Sequence, residues 1–131
     1  NNFVLKKIIN SARKIKRKKQ KKLHLGDINV MRDWGWAPEY VEIIYKLLNK
    51  KIVDDYVIAT GKTVKLKKLI NQIFKYFNLN WQEHVQFKKN LKRQFDAKVR
   101  KANNSKIIKD LSWRPKYYVE DIVANLLENK L

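Results

Sequence analysis

Apolar positions recur at helical spacing in the first stretch of the chain. Leu5, Ile8, Ile9, Ala12 and Ile15 are separated by Lys and Arg, which predicts an amphipathic helix from about Phe3 to Lys16. A basic run from Arg13 to Lys22, broken by Ile15 and Gln20, leads into Leu23-His24-Leu25, a short strand closed by the turn pair Gly26-Asp27. The aromatic turn Arg32-Asp33-Trp34-Gly35-Trp36-Ala37-Pro38 precedes a second helix, with Pro38 suited to its first turn. Its expected apolar face is Tyr40, Val41, Ile44 and Leu47 or Leu48. Behind Asp54-Asp55, the compact run Tyr56-Val57-Ile58-Ala59 reads as a strand ending at Thr60-Gly61.

The clearest helix follows. Leu66, Leu69, Ile70, Ile73, Phe74 and Phe77 form one stripe, with Lys67, Lys68 and Lys75 outside it. Val85-Gln86-Phe87 suits a short strand, and Lys88 to Lys101 is polar without a period. Asn104 or Ser105 is placed to cap a short helix through Ile107, Ile108 and Leu111. Trp113-Arg114-Pro115 breaks the chain before a last helix carrying Val119, Ile122, Val123, Leu126 and Leu127. The pattern predicts one α-rich α/β domain over residues 1–131 with two or three short strands, no dividing linker and no internal repeat.

Charge changes that picture. Thirty-one Lys and Arg against twelve Asp and Glu give +19. Such a balance suits an anionic partner. Most of these cations are Lys, however, in a chain crowded with Asn and Ile, as an AT-rich coding sequence would place on solvated faces. Arg, the residue of bidentate phosphate and guanine contacts, is scarce. Composition drift with a phosphate-bearing ligand therefore ranks ahead of a dedicated nucleic-acid binder. The absence of cysteine removes disulfides, thiolate metal sites and Cys nucleophiles, and agrees with a reducing, cytoplasmic setting. Neither a signal segment nor a membrane-length apolar run is seen, so no membrane partner is expected. Asn103-Asn104-Ser105 matches a glycosylation sequon but reads as a helix start.

Catalytic chemistry is hard to place. Gly26, Gly35 and Gly61 are the only glycines and are too far apart for a dinucleotide fingerprint or a P-loop. His24 and His84 lie sixty residues apart, Ser11, Ser105 and Ser112 lack a nucleophile-elbow context, and no carboxylate pair stands out. No catalytic residue and no metal ligand is assigned.

Several segments nevertheless resemble, in order and spacing, the final part of the GDP-mannose 4,6-dehydratases, extended short-chain dehydrogenases/reductases. Phe3-Val4-Leu5-Lys6-Lys7-Ile8 is similar to F-V-T-R-K-I, Lys22 to Asp27 to K-L-Y-L-G-N, and Arg32 to Gly35 to R-D-W-G. Asp54 to Gly61 repeats D-D-Y-V-I-A-T-G unchanged, and Leu111 to Pro115 resembles L-G-W-K-P. The octet is the specific part of the match.

The resemblance implies a carboxy-terminal substrate lobe whose Rossmann half is absent. That half carries NADP and the catalytic Thr, Glu, Tyr and Lys, so the chain alone is expected to be inactive. The family reaction removes water from GDP-mannose to give GDP-4-keto-6-deoxymannose. The resemblance also implies ligand contacts. Phe3 and Val4 would line the guanosine pocket, and Lys7 would reach a phosphate. Leu25 and Gly26 would bring backbone to the base or ribose. Arg32 and Arg93 would hold the diphosphate, and Asp96 would stand for a ribose-binding Glu. Expected partners are GDP-mannose, the Rossmann domain and further copies of the chain, with nucleic acid bound only non-specifically.

Plainer roles exist for several: helix core for Phe3 and Val4, solvation for Lys7 and Arg93, a pairing with Asp33 or a helix end for Arg32. Asp33 and Trp34 are read as structural. Departures from the family pattern are Arg93-Gln94-Phe95-Asp96-Ala97 in place of R-P-A-E-V, Trp36 for a common His, and Lys18 for a helix-ending Gly. The basic run is not explained by the resemblance. A basic nucleic-acid module and an inactive relic are the alternatives.

Overall fold

The computed structural model describes residues 3–50, 53–91 and 97–128. Helix α1 (Val4–Lys16) leads to strand β1 (Leu23–Leu25) and strand β2 (Met31–Asp33). Helix α2 (Ala37–Asn49), strand β3 (Thr63–Lys65) and helix α3 (Leu66–Tyr76) follow. Then come the single turn α4 (Trp81–His84), strand β4 (Val85–Phe87), a 3-10 turn at Lys89–Leu91, strand β5 (Val99–Arg100), helix α5 (Ser105–Leu111) and helix α6 (Val119–Leu127). The result is a small, helix-rich α/β unit.

The core is where the sequence pattern is strongest. Ile8, Ile9, Ala12 and Ile15 of α1 meet Leu69, Ile70, Ile73 and Phe74 of α3 and Val119, Val123 and Leu127 of α6. Leu23, Leu25 and Val85 join from the parallel β1–β4 pair, in which Leu25 faces Phe87. Phe74, Ile8, Leu69, Ile70 and Ile73 are among the fully buried side chains. A Phe or Ile in such a position stabilises by about 1.5–3 kcal/mol relative to exposure. The second sheet has the order β3–β2–β5, antiparallel on one side of β2 and parallel on the other.

Helix α1 ends on a left-handed residue, Lys18, at φ 55°. The Lys18 N–H donates to the Ile15 carbonyl and the Lys19 N–H to the Lys14 carbonyl, both at 2.9 Å. This is a Schellman end. Lysine occupies the position where a glycine, lacking Cβ, would be unstrained.

Two sequence expectations need correction. Tyr56–Ala59 is not a strand, because neither sheet extends to it. An isolated extended segment has no ladder to join. The expected apolar face of α2 is also mostly the outer one. Glu39 and Ile43 are its buried residues, whereas Val41, Ile44 and Leu48 are exposed. Strands β2, β3 and β5 were not expected, since Met31-Arg32-Asp33, Thr63-Val64-Lys65 and Val99-Arg100 are short and largely polar.

Candidate nucleotide-sugar site

The two sequence signatures of the chain meet through one carboxylate. Asp33 closes β2, and its Oδ1 accepts from the Thr60 N–H at 3.0 Å and the Thr60 hydroxyl at 2.8 Å. Its Oδ2 accepts from the Gly61 N–H at 2.7 Å. Asp33 is thus a clasp between the Arg32-to-Gly35 turn and the Ala59-Thr60-Gly61 turn. Gly61 takes φ 75°, and a Cβ there would lie 2.9 Å from the Asn104 amide oxygen. Asn104 in turn donates to the Ala59 carbonyl at 2.9 Å. At Gly35 a Cβ would lie 1.7 Å from the Tyr40 hydroxyl. Both glycines are fixed by close approach.

A second clasp uses Glu39, 7% exposed, which accepts from the Lys116 N–H at 2.7 Å and the Tyr117 N–H at 3.3 Å. It holds the segment behind Pro115 against α2. Trp36 packs on Tyr117 and Tyr40 on Trp113 beside it. Burial first, and then the Asp33 and Glu39 carboxylates, push the Tyr40 hydroxyl up to about 12. A phenol held so firmly protonated is a poor general base. Asp33 and Glu39 are therefore structural joints.

Three of the candidate residues, Lys7, Leu25 and Gly26, lie where α1 meets β1. Lys7 donates from Nζ to the His24 carbonyl at 3.0 Å, tying the first turns of α1 to the strand that runs into Gly26. The Leu25 side chain is buried, and its carbonyl accepts from the Lys88 N–H at 2.9 Å. Gly26 borders a cavity of about 450 Å3 lined also by Asp27, Ile28, Asn29, Lys67, Trp81, Phe87 and Lys88. Lys67 Nζ lies 5.4 Å from the centre of the Trp81 ring. An indole and a phenyl flanked by two ammonium groups suit a ligand with a planar ring and an anionic group.

The other candidates scatter. Val4 is half-buried against the core, and Phe3 is 82% exposed at the start of α1. Arg32 lies in the second sheet, where its guanidinium donates to the Met31 carbonyl at 2.7 Å and the Lys98 carbonyl at 3.5 Å. Asp33 is engaged by Thr60 and Gly61. Arg93 and Asp96 lie outside the described residues. Lys67, Trp81, Phe87 and Lys88 were missed by sequence reasoning. A signal existed in the lone Trp81 behind the capping Asn80, whose side chain accepts from the Gln82 N–H.

A larger cavity of about 610 Å3, bordered by Lys62, Lys68, Lys101 and Tyr118, contains none of the candidate residues. Its acids are already used. Glu120 pairs with Lys68 at 2.8 Å, and Asp121 accepts from the Tyr118 N–H at 2.9 Å. Among the described residues no group of three His, Cys, Asp or Glu is placed to hold a metal. No described helix is long and apolar enough to cross a membrane.

Comparison with known proteins bears out the family resemblance. The family model for GDP-mannose 4,6 dehydratase matches residues 1–126. The chain belongs to the GDP-mannose 4,6-dehydratase family. GDP-mannose 4,6 dehydratase 1 of Arabidopsis thaliana is 37% identical over 99% of the chain, which corresponds to 36% of that protein's length. GDP-mannose 4,6 dehydratase of Homo sapiens is 24% identical over 96% of the chain and 38% of its own length. The chain thus spans little more than a third of the curated relatives it matches.

Solved structures share the fold. RMD from Pseudomonas aeruginosa, in complex with NADPH, superposes with a TM-score of 0.82 at 17% identity, over 97% of this chain and 42% of that one. dTDP-glucose 4,6-dehydratase from Bacillus anthracis, in complex with NAD, gives 0.75 at 21% identity, over 92% of this chain and 37% of that one.

A dinucleotide does not fit the residues present. The three glycines share no turn, and the space above Gly35 and Gly61 is taken by Tyr40 and Asn104. The described residues offer no glycine-rich cradle opening a helix, which is what a pyrophosphate needs.

Proposed function

We propose that residues 1–131 form a single GDP-sugar-binding domain, the carboxy-terminal lobe of a GDP-mannose 4,6-dehydratase. The family match over residues 1–126 carries this reading. The lobe holds GDP-mannose for conversion to GDP-4-keto-6-deoxymannose. NADP and the groups that act on the sugar belong to the Rossmann half of the family's length, so the lobe is inactive alone. The assembled enzyme is an oligomer in the cytoplasm.

Within the lobe, Gly26 brings backbone to the base or ribose, and Lys7 beside it meets a phosphate. Leu25 contributes backbone only, because its side chain is buried. Val4 shapes the pocket wall, and Phe3 closes over the guanosine from its exposed position. Arg32 and Arg93 take the diphosphate through their planar forks, and Asp96 takes a ribose hydroxyl. The cavity beside Gly26 supports the same reading, since Trp81 offers a stacking surface and Lys67 and Lys88 offer positive charge.

A nucleic-acid module is not favoured. The basic run is confined to the end of α1 and the following loop, where Lys22 donates to the Glu83 carbonyl.

Amide chemical-shift mapping tests the proposal. Adding GDP-mannose at physiological salt is expected to move the resonances of Val4, Lys7, Gly26, Arg32 and Trp81. Shifts confined to Lys14–Lys22, reproduced by any polyanion and removed by salt, would refute it.

A further inference from the structure

Ten Lys and Arg precede Asp27, the first acidic residue, so the first fifth of the chain carries more than half of its net charge of +19. Eight of them stand between Arg13 and Lys22, in the basic run that the nucleotide-sugar reading does not use. The run has a fixed shape. It comprises the last turn of α1 and the Schellman turn that ends it. The Lys22 ammonium donates to the Glu83 carbonyl at 2.6 Å, and the His84 Nδ1–H to the Lys21 carbonyl at 3.2 Å. Both contacts fasten the loop to α4.

Its charge is not balanced within the fold. Lys14, Lys16, Arg17, Lys18, Lys19 and Lys21 are exposed, and among the described residues their side chains make no hydrogen bond, ion pair or ring contact. Glu83, whose carbonyl holds Lys22, turns its carboxylate to the Asn80 amide at 2.9 Å. Crowded like charges repel, and Lys18 adds backbone strain at φ 55°, a conformation suited to glycine. Repulsion and strain together lower the stability of this corner unless an anion covers it. Strain kept in a fold is a pointer to function.

Three features decide which polyanion fits. The run exposes no apolar side chain, since Ile15 is 6% exposed. A helical segment that lies on a bilayer buries apolar area there as well as charge. The run also holds no aromatic ring, the surface on which single-stranded nucleic acids stack. Lys14 and Lys16, two residues apart on a helix of about 3.6 residues per turn, stand on opposite sides of the helix end. A helix about 10–12 Å across with cations on both flanks matches the major groove of duplex DNA, about 12 Å wide between two rows of phosphates. The deep, narrow major groove of an RNA duplex does not admit it.

We propose that the basic run Arg13–Lys22 is a sequence-independent docking site for duplex DNA, with Lys14, Lys16, Arg17, Lys18, Lys19 and Lys21 on the phosphates that flank the major groove. It is a patch on the lobe and not a nucleic-acid module. Six of its eight cations are Lys, which neutralise phosphate without the planar fork that reads a base edge, and the Gln20 amide is engaged by the Lys22 carbonyl at 2.8 Å. The site is separate from the proposed GDP-mannose contacts Phe3, Val4 and Lys7, which lie at the opposite end of α1.

Fluorescence anisotropy of a labelled duplex of about 20 base pairs, titrated with the chain between ~50 and ~200 mM salt, tests the proposal. Six phosphate contacts give a slope of log affinity against log salt of about −5. Two variants of equal net charge locate the site. Lys14→Gln, Lys16→Gln, Lys19→Gln and Lys21→Gln together should weaken binding by roughly tenfold or more and bring the slope to about −2. Lys75→Gln, Lys101→Gln, Lys109→Gln and Lys116→Gln, exposed and elsewhere on the chain, remove the same charge and should leave affinity within about threefold of the parent and the slope unchanged. Lys18→Gly should raise the melting temperature while reducing the slope by about one, a pairing of effects that a purely structural residue does not produce.

Equal losses in the two fourfold variants would overturn the proposal, because the affinity would then belong to net charge alone. A Lys18→Gly chain that is more stable but keeps the parental slope would do the same, and that variant does not depend on the fourfold one folding. Single-stranded DNA or duplex RNA bound as tightly as duplex DNA would remove the groove assignment on which the proposal stands. Binding to phosphatidylserine vesicles that requires the run, with none to DNA, would replace it with a membrane surface.

Discussion

Replacing Asp33 by Ala removes the acceptor for three donors at once. The Thr60 N–H, the Thr60 hydroxyl and the Gly61 N–H all point at its two oxygens. Thr60 is 6% exposed, so water replaces the lost acceptor poorly. Hydrogen bonds to a charged group contribute about 1.5–3 kcal/mol each, but these three share one carboxylate and are not additive. The hydroxyl retains the Lys62 carbonyl, 3.2 Å away, leaving the two backbone donors as the main loss. A destabilisation of about 3 kcal/mol is expected, or roughly 10 °C in melting temperature for a domain of this size. Asp33→Asn should cost about half of that, because one oxygen can still serve Thr60 while the new NH2 faces the Gly61 N–H. Urea unfolding followed by tryptophan fluorescence reads both variants, with the slope held constant as the control. If Asp33→Ala lies within about 0.5 kcal/mol of the parent, typical of an unremarkable surface substitution, the clasp is not a structural joint.

Further outcomes follow from the same reasoning. Lys18→Gly should stabilise by about 1 kcal/mol in thermal unfolding, since the left-handed conformation at the end of α1 strains any residue with a Cβ. Glu39→Ala should cost about 2 kcal/mol and raise amide exchange at Lys116 and Tyr117, whose N–H groups it accepts. Phe74→Ala should cost about 3–5 kcal/mol by leaving a cavity at the meeting of α1, α3 and α6, measurable by urea unfolding. The hydrogen bond from Lys68 holds the Glu120 carboxyl below its ordinary value of 4.5. Because the folded value is the lower one, this stabilisation is present above the ordinary value and is lost as pH falls through the folded one. The pair is largely exposed, so the effect stays below about 1 kcal/mol. Glu120→Gln should flatten the acid limb of the stability curve by no more than that.

The elements most legible in the sequence are the helices with enough turns to show a period, and the short apolar runs of β1 and β4 were legible beside them. Helices α1, α3 and α6 carry their buried stripes at helical spacing, and the core consists of those residues. Strands β2, β3 and β5 hold two or three residues each, and pairing across the chain, not local pattern, defines them. Tyr56–Ala59 and the outer face of α2 were misread for one reason. Tyr56–Ala59 joins no sheet among the described residues, and Val41, Ile44 and Leu48 lie on the exposed side of α2, so an apolar run alone did not mark a buried element.

The candidate site was legible at its edge. Resemblance picked out Lys7, Leu25 and Gly26, which the fold gathers at the junction of α1 and β1. It did not reach Trp81, Lys67 or Lys88, because α4 and α3 bring them to Gly26 only in three dimensions. Asp33 was read as structural from the sequence, but its partners Thr60 and Gly61, and the joint made by Glu39, appear only in the fold.

Isothermal titration of the chain with GDP-mannose at physiological salt bears most directly on the claim that this lobe holds the nucleotide sugar. Saturable one-to-one binding is expected, weakened at least tenfold by Arg32→Ala and by Lys7→Ala, with mannose alone giving no heat. Absence of saturable binding, or equal affinity in both variants, would contradict it.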